Sequence, residues 1–152
     1  MRSPSEMIER FRERGLKVTP QRACIFEVLY ANEVHPSAEA VYAEASGRMP
    51  TISLKTVYQT LNDLAAMGEI QQLDVGTGSS RFDPNVEPHH HLVCTRCGKV
   101  RDVHVDTGGL RPPEAELHGF EVGAADVVFR GLCAACAAST GPDPAPARTH
   151  PA

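Results

Sequence analysis

The chain has 152 residues, with 15 Lys and Arg against 19 Asp and Glu, a formal net charge of −4 and a hydrophobic fraction of 41%. This length suits one large domain or two small ones. Since no apolar run reaches the roughly 18 residues of a membrane span and the first residues lack the apolar segment of a secretory signal, we expect a cytoplasmic protein with no membrane partner. The absence of Trp and the 5% of aromatic residues argue against a pocket for a large organic ligand.

Four short helices are predicted in the first half, each from a cap or stop signal beside apolar residues. The signals, in chain order, are Gly15 as the stop of the first helix, Thr19-Pro20, Ser37 and Ser53. Charge supports a separate role for this half, because residues 1–58 carry +1 (8 basic, 7 acidic) and residues 59–152 carry −5 (7 basic, 12 acidic). A weakly basic first half is compatible with nucleic-acid binding if its cations share one face.

The fourth helix is predicted to be amphipathic and to end at Gly68. Its expected core stripe consists of Leu54, Val57, Leu61, Leu64 and Ala65. The opposite face carries Lys55, Thr56, Tyr58, Gln59 and Asn62. A hairpin, 69–75 and 79–83, follows around Gly76-Thr77-Gly78, and helices followed by a hairpin indicate a winged helix-turn-helix. The polar face is then a candidate DNA surface, with an ordinary solvated face as the alternative.

The second half is predicted to be richer in β-structure. We expect strands at 91–94, 99–105 and 121–131, with a short helix at 113–118 before the last strand. The fold class is therefore α+β, with a winged helix-turn-helix domain at 1–83 and a small α/β domain at 84–138. The Pro-, Ala- and Thr-rich segment 139–152 is expected to be a disordered tail.

Two CxxC pairs, separated by 35 residues, predict a metal site in the second domain. The four cysteines are Cys94, Cys97, Cys133 and Cys136. Four thiolates suit tetrahedral Zn²⁺, and Gly98 allows a tight turn behind the first pair. A closed four-thiolate zinc does no chemistry, so its expected role is structural, and a redox dithiol switch is the alternative. The fifth cysteine, Cys24, is expected to be a small buried residue.

Histidines and aspartates near the first CxxC predict a second metal site. In an extended segment His89 and His91 point to the same side, and Asp83 and Asp102 lie on or beside neighbouring strands. Such a mixed nitrogen and oxygen site suits Fe(II), Mn(II), Co(II), Ni(II) or Zn(II). A run of surface histidines without a metal is the alternative.

Several motifs in this order resemble the ferric uptake regulator (Fur) superfamily. They are KVTPQR (Lys17–Arg22), HPSAEAVY (His35–Tyr42), TVYQTL (Thr56–Leu61), SSRFD (Ser79–Asp83), HHHLVCTRCGKVRDV (His89–Val103) and the closing GLCAAC. The resemblance covers about residues 7 to 136. It implies a dimeric, metal-dependent bacterial transcription regulator, with the second domain for dimerisation, and not an enzyme.

The resemblance also implies roles for individual residues. The helix from Thr56 to Met67 would enter the major groove of operator DNA, with Tyr58 near bases and Lys17 and Arg22 near DNA. The four cysteines would hold structural zinc. His35, from the DNA-binding domain, would join Asp83, His89, His91 and Asp102 in the regulatory metal site. A metal that fixes the two domains relative to one another would then space the two recognition helices of a dimer for a two-fold operator.

Aspartate at both Asp83 and Asp102 resembles the peroxide-sensing (PerR) branch, whereas iron sensors usually carry Glu at the position of Asp102. The resemblance implies that bound Fe(II) reacts with hydrogen peroxide and oxidises His35 or His89, after which the metal is lost and the gene is derepressed. The remaining alternatives are an iron-responsive repressor without peroxide sensing and a Mn, Ni or Zn sensor.

Two departures from the family pattern are visible. Gly123-Ala124-Ala125 stands where some members carry a histidine ligand, so we expect no third metal site. Gln59 replaces the Arg that often follows the recognition Tyr, so the operator sequence cannot be carried over. Outside the regulator class, a metal-dependent hydrolase and a zinc-ribbon scaffold are the alternatives; the first lacks a general base outside the ligand set, and the second does not need a winged helix.

Overall fold

The computed structural model describes residues 1–32, 34–76 and 78–139. Contacts divide the chain into two compact units, the first comprising Met1–Glu87 and the second beginning at Pro88. Apart from Ser139, the predicted tail at 139–152 lies outside the described residues. None of the helices in the described part combines the length and the apolar composition that crossing a bilayer requires.

The first unit contains the four predicted helices, which are α1 (Pro4–Glu13), α2 (Pro20–Tyr30), α3 (Ala38–Arg48) and α4 (Leu54–Ala66). The predicted caps are confirmed, because the side chains of Thr19, Ser37 and Ser53 each accept a hydrogen bond from a backbone N–H in the first turn. The helix stops Gly15 and Gly68 have φ of +70° and +71°, a conformation that glycine adopts without strain.

These helices enclose one apolar core. Its largest fully buried side chains are Met7, Phe11, Ile25, Phe26, Leu29, Leu61, Leu64 and Phe82. The predicted core stripe of α4 is wrong at its first position, since Leu54 is 38% exposed at the helix start. Thr60 is buried instead, and its hydroxyl donates to the carbonyl of Thr56, which satisfies a polar group that periodicity does not place inside.

The hairpin is shorter than predicted. Strands β1 (Gln71–Leu73) and β2 (Arg81–Asp83) pair antiparallel, with Gln71 opposite Asp83. Phe82 enters the core, and its backbone N–H donates to the carbonyl of Pro36, which ties β2 to the residues just before α3. The helices and the two-stranded wing form the predicted winged helix-turn-helix.

The second unit is built on a three-stranded sheet. Strands β3 (His90–Cys94), β4 (Val100–Val103) and β5 (Val128–Gly131) are arranged in the order β4-β3-β5, with β3 antiparallel to β4 and parallel to β5. The short helix α5 (Ala134–Ala138) follows β5.

Three predicted elements of the second unit are too long. The strand expected at 99–105 is confined to Val100–Val103. Residues 121–127 form no strand, because Gly123-Ala124-Ala125 offers no β-branched or aromatic side chain to pack on a sheet. The predicted helix at 113–118 is a single 3₁₀ turn, Glu114–Glu116. It ends where His118 and Gly119 both adopt positive φ and reverse the chain.

A matched pair of substitutions in α4 tests the position of the core. Leu61→Ala removes a fully buried side chain and is expected to lower the free energy of unfolding by about 2–5 kcal/mol. Leu54→Ala, at an exposed position, is expected to change it by no more than about 0.5 kcal/mol. Urea denaturation of the metal-loaded protein measures both, and equal losses would contradict the assigned core.

Candidate metal centre

The parallel pairing of β3 and β5 brings the two CxxC pairs together. Cys94 is the last residue of β3 and lies opposite Gly131, the last residue of β5, and the N–H of Thr95 donates to the carbonyl of Gly131. Because both strands run in the same direction, the residues that follow them emerge at one edge of the sheet. The 35-residue separation in sequence thus becomes a local cluster.

Each pair is held by its own turn. Behind the first pair the chain reverses at Gly98, which has φ of +70° and donates its N–H to the carbonyl of Cys94. In the second pair Cys133 precedes α5 and Cys136 lies within it, and the carbonyl of Cys133 accepts from the N–H of Ala137. The two turns bring the four cysteines close enough for their sulfurs to form one cluster.

The donor set fits zinc. The four Sγ atoms all lie within 4.8 Å of one another, and those of Cys97 and Cys133 are 3.8 Å apart. Zn–S bonds of about 2.3 Å in a tetrahedron place neighbouring sulfurs roughly 3.8 Å apart. All four thiols are free of disulfides. The predicted four-cysteine zinc site is therefore supported by the arrangement of its ligands.

Hydrogen bonds favour thiolate at one edge of the cluster. Backbone N–H groups, first that of Cys133 at 3.4 Å from Sγ, lower the pKa of Cys94 to about 6. The hydrogen bond with Cys133 and burial raise the pKa of Cys136 to about 12. Of these two groups Cys94 is therefore closer to the thiolate form, which is the form that binds zinc.

Arg96, between the first two cysteines, reaches across to the second pair. Its guanidinium donates to the backbone carbonyls of Cys136 and Ser139 and to the hydroxyl of Ser139, the last two at 2.9 Å and 3.0 Å. Helix α5 has only five residues and leaves its last carbonyls without helical partners. Arg96 therefore caps the helix that carries Cys136, a role that no sequence pattern indicates.

In the first unit two predicted ligands lie side by side. Nε2 of His35 is 3.2 Å from Oδ2 of Asp83, and the two side chains are 3% and 1% exposed. The hydrogen bond from Phe82 to Pro36 positions both, because each ligand is the chain neighbour of one of its partners. With metal–ligand bonds of about 2.1 Å, adjacent donor atoms lie roughly 3.0–3.4 Å apart, so this spacing suits two ligands of one ion.

In the second unit three more predicted ligands are grouped. His91 lies opposite Asp102 in the β3–β4 ladder, and the rings of His89 and His91 have centroids 4.6 Å apart, as the predicted alternation requires. Nε2 of His89 is 3.5 Å from Oδ1 of Asp102. His90 faces elsewhere, and its Nδ1 accepts from the N–H of Val127. These are nitrogen and oxygen donors without a cysteine, a set that suits Fe(II) or Mn(II).

The candidate DNA surface is an exposed stripe on α4. Lys55, Tyr58, Gln59 and Asn62 are all exposed at helical spacing, while Thr56 is half-buried and caps the helix start with Ser53. Asn62 is the last residue of the predicted polar face and is exposed as expected. The stripe is polar along its whole length, as a base-reading helix requires.

The two further residues predicted near DNA differ in their surroundings. Lys17 is exposed, whereas the Arg22 side chain is only 12% exposed. The Arg22 guanidinium bonds Asp63 of α4 at 2.6 Å and the carbonyl of Lys17, and it lies over the ring of Phe11. Arg22 therefore has a packing role in the first unit, and its contact with DNA stays a prediction.

Comparisons with known proteins agree with this architecture. The model of the ferric uptake regulator family matches residues 13–129. The chain is 36% identical to the peroxide operon regulator of Bacillus subtilis (strain 168) over 134 residues, 86% of this chain and 91% of that protein. It is 38% identical to the peroxide-responsive repressor PerR of Staphylococcus epidermidis over 86% of this chain and 88% of that one. A solved zinc-bound manganese uptake regulator superposes with a TM-score of 0.65 at 28% identity, over 87% of this chain and 99% of that one.

Substitution of Arg96 tests its contacts with the second cysteine pair. Arg96→Ala is expected to speed zinc release to a chromogenic chelator about tenfold or more, since supporting residues of metal sites affect binding on this scale. Arg101→Ala removes the same charge from an exposed position of β4 and is the matched control. Equal release rates for the two variants would exclude this role for Arg96.

Proposed function

Because this chain belongs to the ferric uptake regulator family, we propose that it is a metal-dependent repressor of transcription that hydrogen peroxide inactivates. The observation that supports a peroxide response is the chemistry of the donor set in the second unit. His89 lies close to His91 and to Asp102, and no sulfur is among these donors. Curated relatives at 36% and 38% identity are named as regulators of the peroxide response. Aspartate at both carboxylate positions supports the same assignment.

The proposed metals occupy two sites of different character. Zn²⁺ would sit among the four cysteines and hold the end of the folded chain. Fe²⁺ or Mn²⁺ would be bound by five donors, the His35–Asp83 pair together with His89, His91 and Asp102. Neither group alone supplies the four to six ligands that such ions take, which supports a shared ion. One ion that needs ligands from both units would favour one relative orientation of them.

The proposed partner is double-stranded operator DNA, bound by a homodimer in the cytoplasm. Lys55, Tyr58 and Gln59 would face the major groove, with Thr56 at the helix start and Lys17 and Arg22 beside the DNA backbone. A dimer with two recognition helices binds half-sites about one helical turn apart. Metal binding would raise DNA affinity because the ion has higher affinity for the DNA-competent arrangement.

Peroxide sensing in this proposal is a single self-oxidation and not catalytic turnover. When bound, Fe(II) would supply an electron that splits the O–O bond of hydrogen peroxide and would regain it as the ring is oxidised, so that iron is unchanged in the net reaction. In the net change, one oxygen atom of the peroxide replaces hydrogen on a ring carbon of His35 or His89, and the other leaves as water. The oxidised ring binds metal poorly, so the ion would be released and DNA affinity lost.

Mass spectrometry tests the peroxide response directly. Protein loaded with Fe(II) and exposed briefly to dilute hydrogen peroxide is expected to gain one oxygen on His35 or His89. Protein loaded with Mn(II) is the control and should remain unmodified. Unmodified histidines in the iron sample would leave an iron-responsive repressor that does not sense peroxide.

Asp102→Glu is a conservative test of the same site. It keeps the carboxylate but adds a methylene, which changes the ligand geometry towards the pattern of iron sensors. We expect histidine oxidation to fall while iron still binds, as peptide mass spectrometry and iron content would show. Undiminished oxidation would mean that Asp102 does not set the peroxide response.

Salt dependence tests the DNA surface. Duplexes enriched from a random pool by the Mn(II)-loaded protein serve as the probe. Lys17 is the exposed cation proposed beside the DNA backbone, so Lys17→Ala is expected to make the decline of log affinity with log salt less steep by about 0.9. Arg101→Ala, in the second unit, is expected to leave the slope unchanged. Failure of the wild-type protein to enrich any duplex would refute the proposed function itself.

A further inference from the structure

The hydroxyl of Tyr58, the residue assigned to base contact, is held by a carboxylate from another helix. It donates to Oε1 of Glu39 at 2.5 Å, and both residues are exposed. The bond raises the pKa of the Tyr58 phenol and lowers the pKa of Glu39. A hydrogen bond to a charged acceptor is among the stronger ones at a protein surface, so it restricts the Tyr58 side chain.

Glu39 is also close in sequence to a metal-ligand pair. It lies in the first turn of α3, four residues after His35. The carbonyl of Pro36 accepts the N–H of Phe82, and His35 faces Asp83 at 3.2 Å. The segment from His35 to Glu39 is thus fixed to β2 at one end and to α4, through Tyr58, at the other.

A cation of the wing also acts on this link. Arg81, the first residue of β2, exerts a Coulomb attraction on Glu39 that helps to lower its pKa. The wing strand that ends with Asp83 therefore begins with a cation that acts electrostatically on the carboxylate that holds Tyr58. A movement of the start of α3 relative to β2 would therefore also move Glu39 relative to Tyr58 on α4.

We propose that Glu39 is a positioning residue that couples the His35–Asp83 pair to the orientation of Tyr58. When a metal ion draws His35 and Asp83 together, the start of α3 is fixed on β2 and Glu39 holds the phenol in one orientation. Without the ion this segment loosens, the bond is made less often and the reading face is less ordered. This inference rests on the proposed function, since it concerns how metal binding improves DNA recognition.

The bond can be followed without DNA. The chain contains three tyrosines and no tryptophan, so ¹³Cζ-labelled tyrosine gives three NMR signals, and Tyr58→Phe identifies one of them. Adding diamagnetic Zn²⁺ to the zinc-replete full-length protein is expected to shift the Tyr58 signal and to raise its titration midpoint. In Glu39→Ala neither change should occur. A Tyr58 signal that is the same with and without added metal would overturn the proposal.

Binding to the enriched duplexes provides the second arm. The ratio of DNA affinity with and without Mn(II) is expected to fall about three- to tenfold in Glu39→Ala and in Tyr58→Phe. The double variant should show no further fall, because both substitutions break one link. Glu39→Gln keeps a hydrogen-bond acceptor for the Tyr58 hydroxyl, so its affinity ratio should fall less than that of Glu39→Ala.

The matched control is Glu44→Ala. Glu44 lies on the same helix, is exposed and pairs with Arg48, so its loss removes an equal charge away from Tyr58. If the ratio of DNA affinity with and without Mn(II) fell equally in Glu44→Ala and Glu39→Ala, the effect would be one of net charge and the coupling would be refuted. If the wild-type protein enriches no duplex, the proposed function fails, while the NMR arm still decides whether the metal pair controls Tyr58.

Discussion

The second unit depends on the link between Cys94 and the chain that follows Gly131. Among its described residues, the buried apolar side chains are Val93, Cys94 and Val100, too few to form a core. Parallel pairing of β3 and β5 brings four thiols to one edge, where a metal ion would cross-link the sheet to α5. Several large apolar side chains of the unit are exposed, among them Phe120 at 76%. The proposed dimer would supply a surface to cover them.

Local signals predict the first unit well because its elements are specified by neighbours in sequence. Caps such as Ser53 and stops such as Gly68 act within one turn, so the residue types at these positions are enough to define where the helices begin and end. Periodicity misassigns Leu54, because it cannot show that the buried stripe of α4 begins one turn later, at Val57. In the second unit the predicted strand at 121–131 is too long. The apolar pattern runs from Val122 to Phe129, but only Val128–Gly131 forms a strand, and the glycine and alanine before it are not paired with a neighbouring strand.

The residues of the two candidate metal sites are predictable to different degrees. His89 and His91 follow from strand alternation, and the cysteines from their spacing. His35 can be assigned only through family resemblance, because it reaches Asp83 by the bond between Pro36 and Phe82, 46 residues apart in sequence. The Glu39–Tyr58 contact joins two helices through side chains, and no local pattern reveals such a pairing.

The proposed function needs one metal site that reacts and another that persists, and the two sets of donors are separated accordingly. Four thiolates around zinc leave no open position, so that site can endure while it holds the fold. Imidazole and carboxylate donors instead suit Fe(II), the ion that would react with peroxide at the proposed regulatory site. His35, a proposed ligand of this kind, belongs to the unit that carries Tyr58. Oxidation of such a histidine would therefore change the orientation of Tyr58 on α4 through α3. The second unit, held by the proposed zinc, would stay folded.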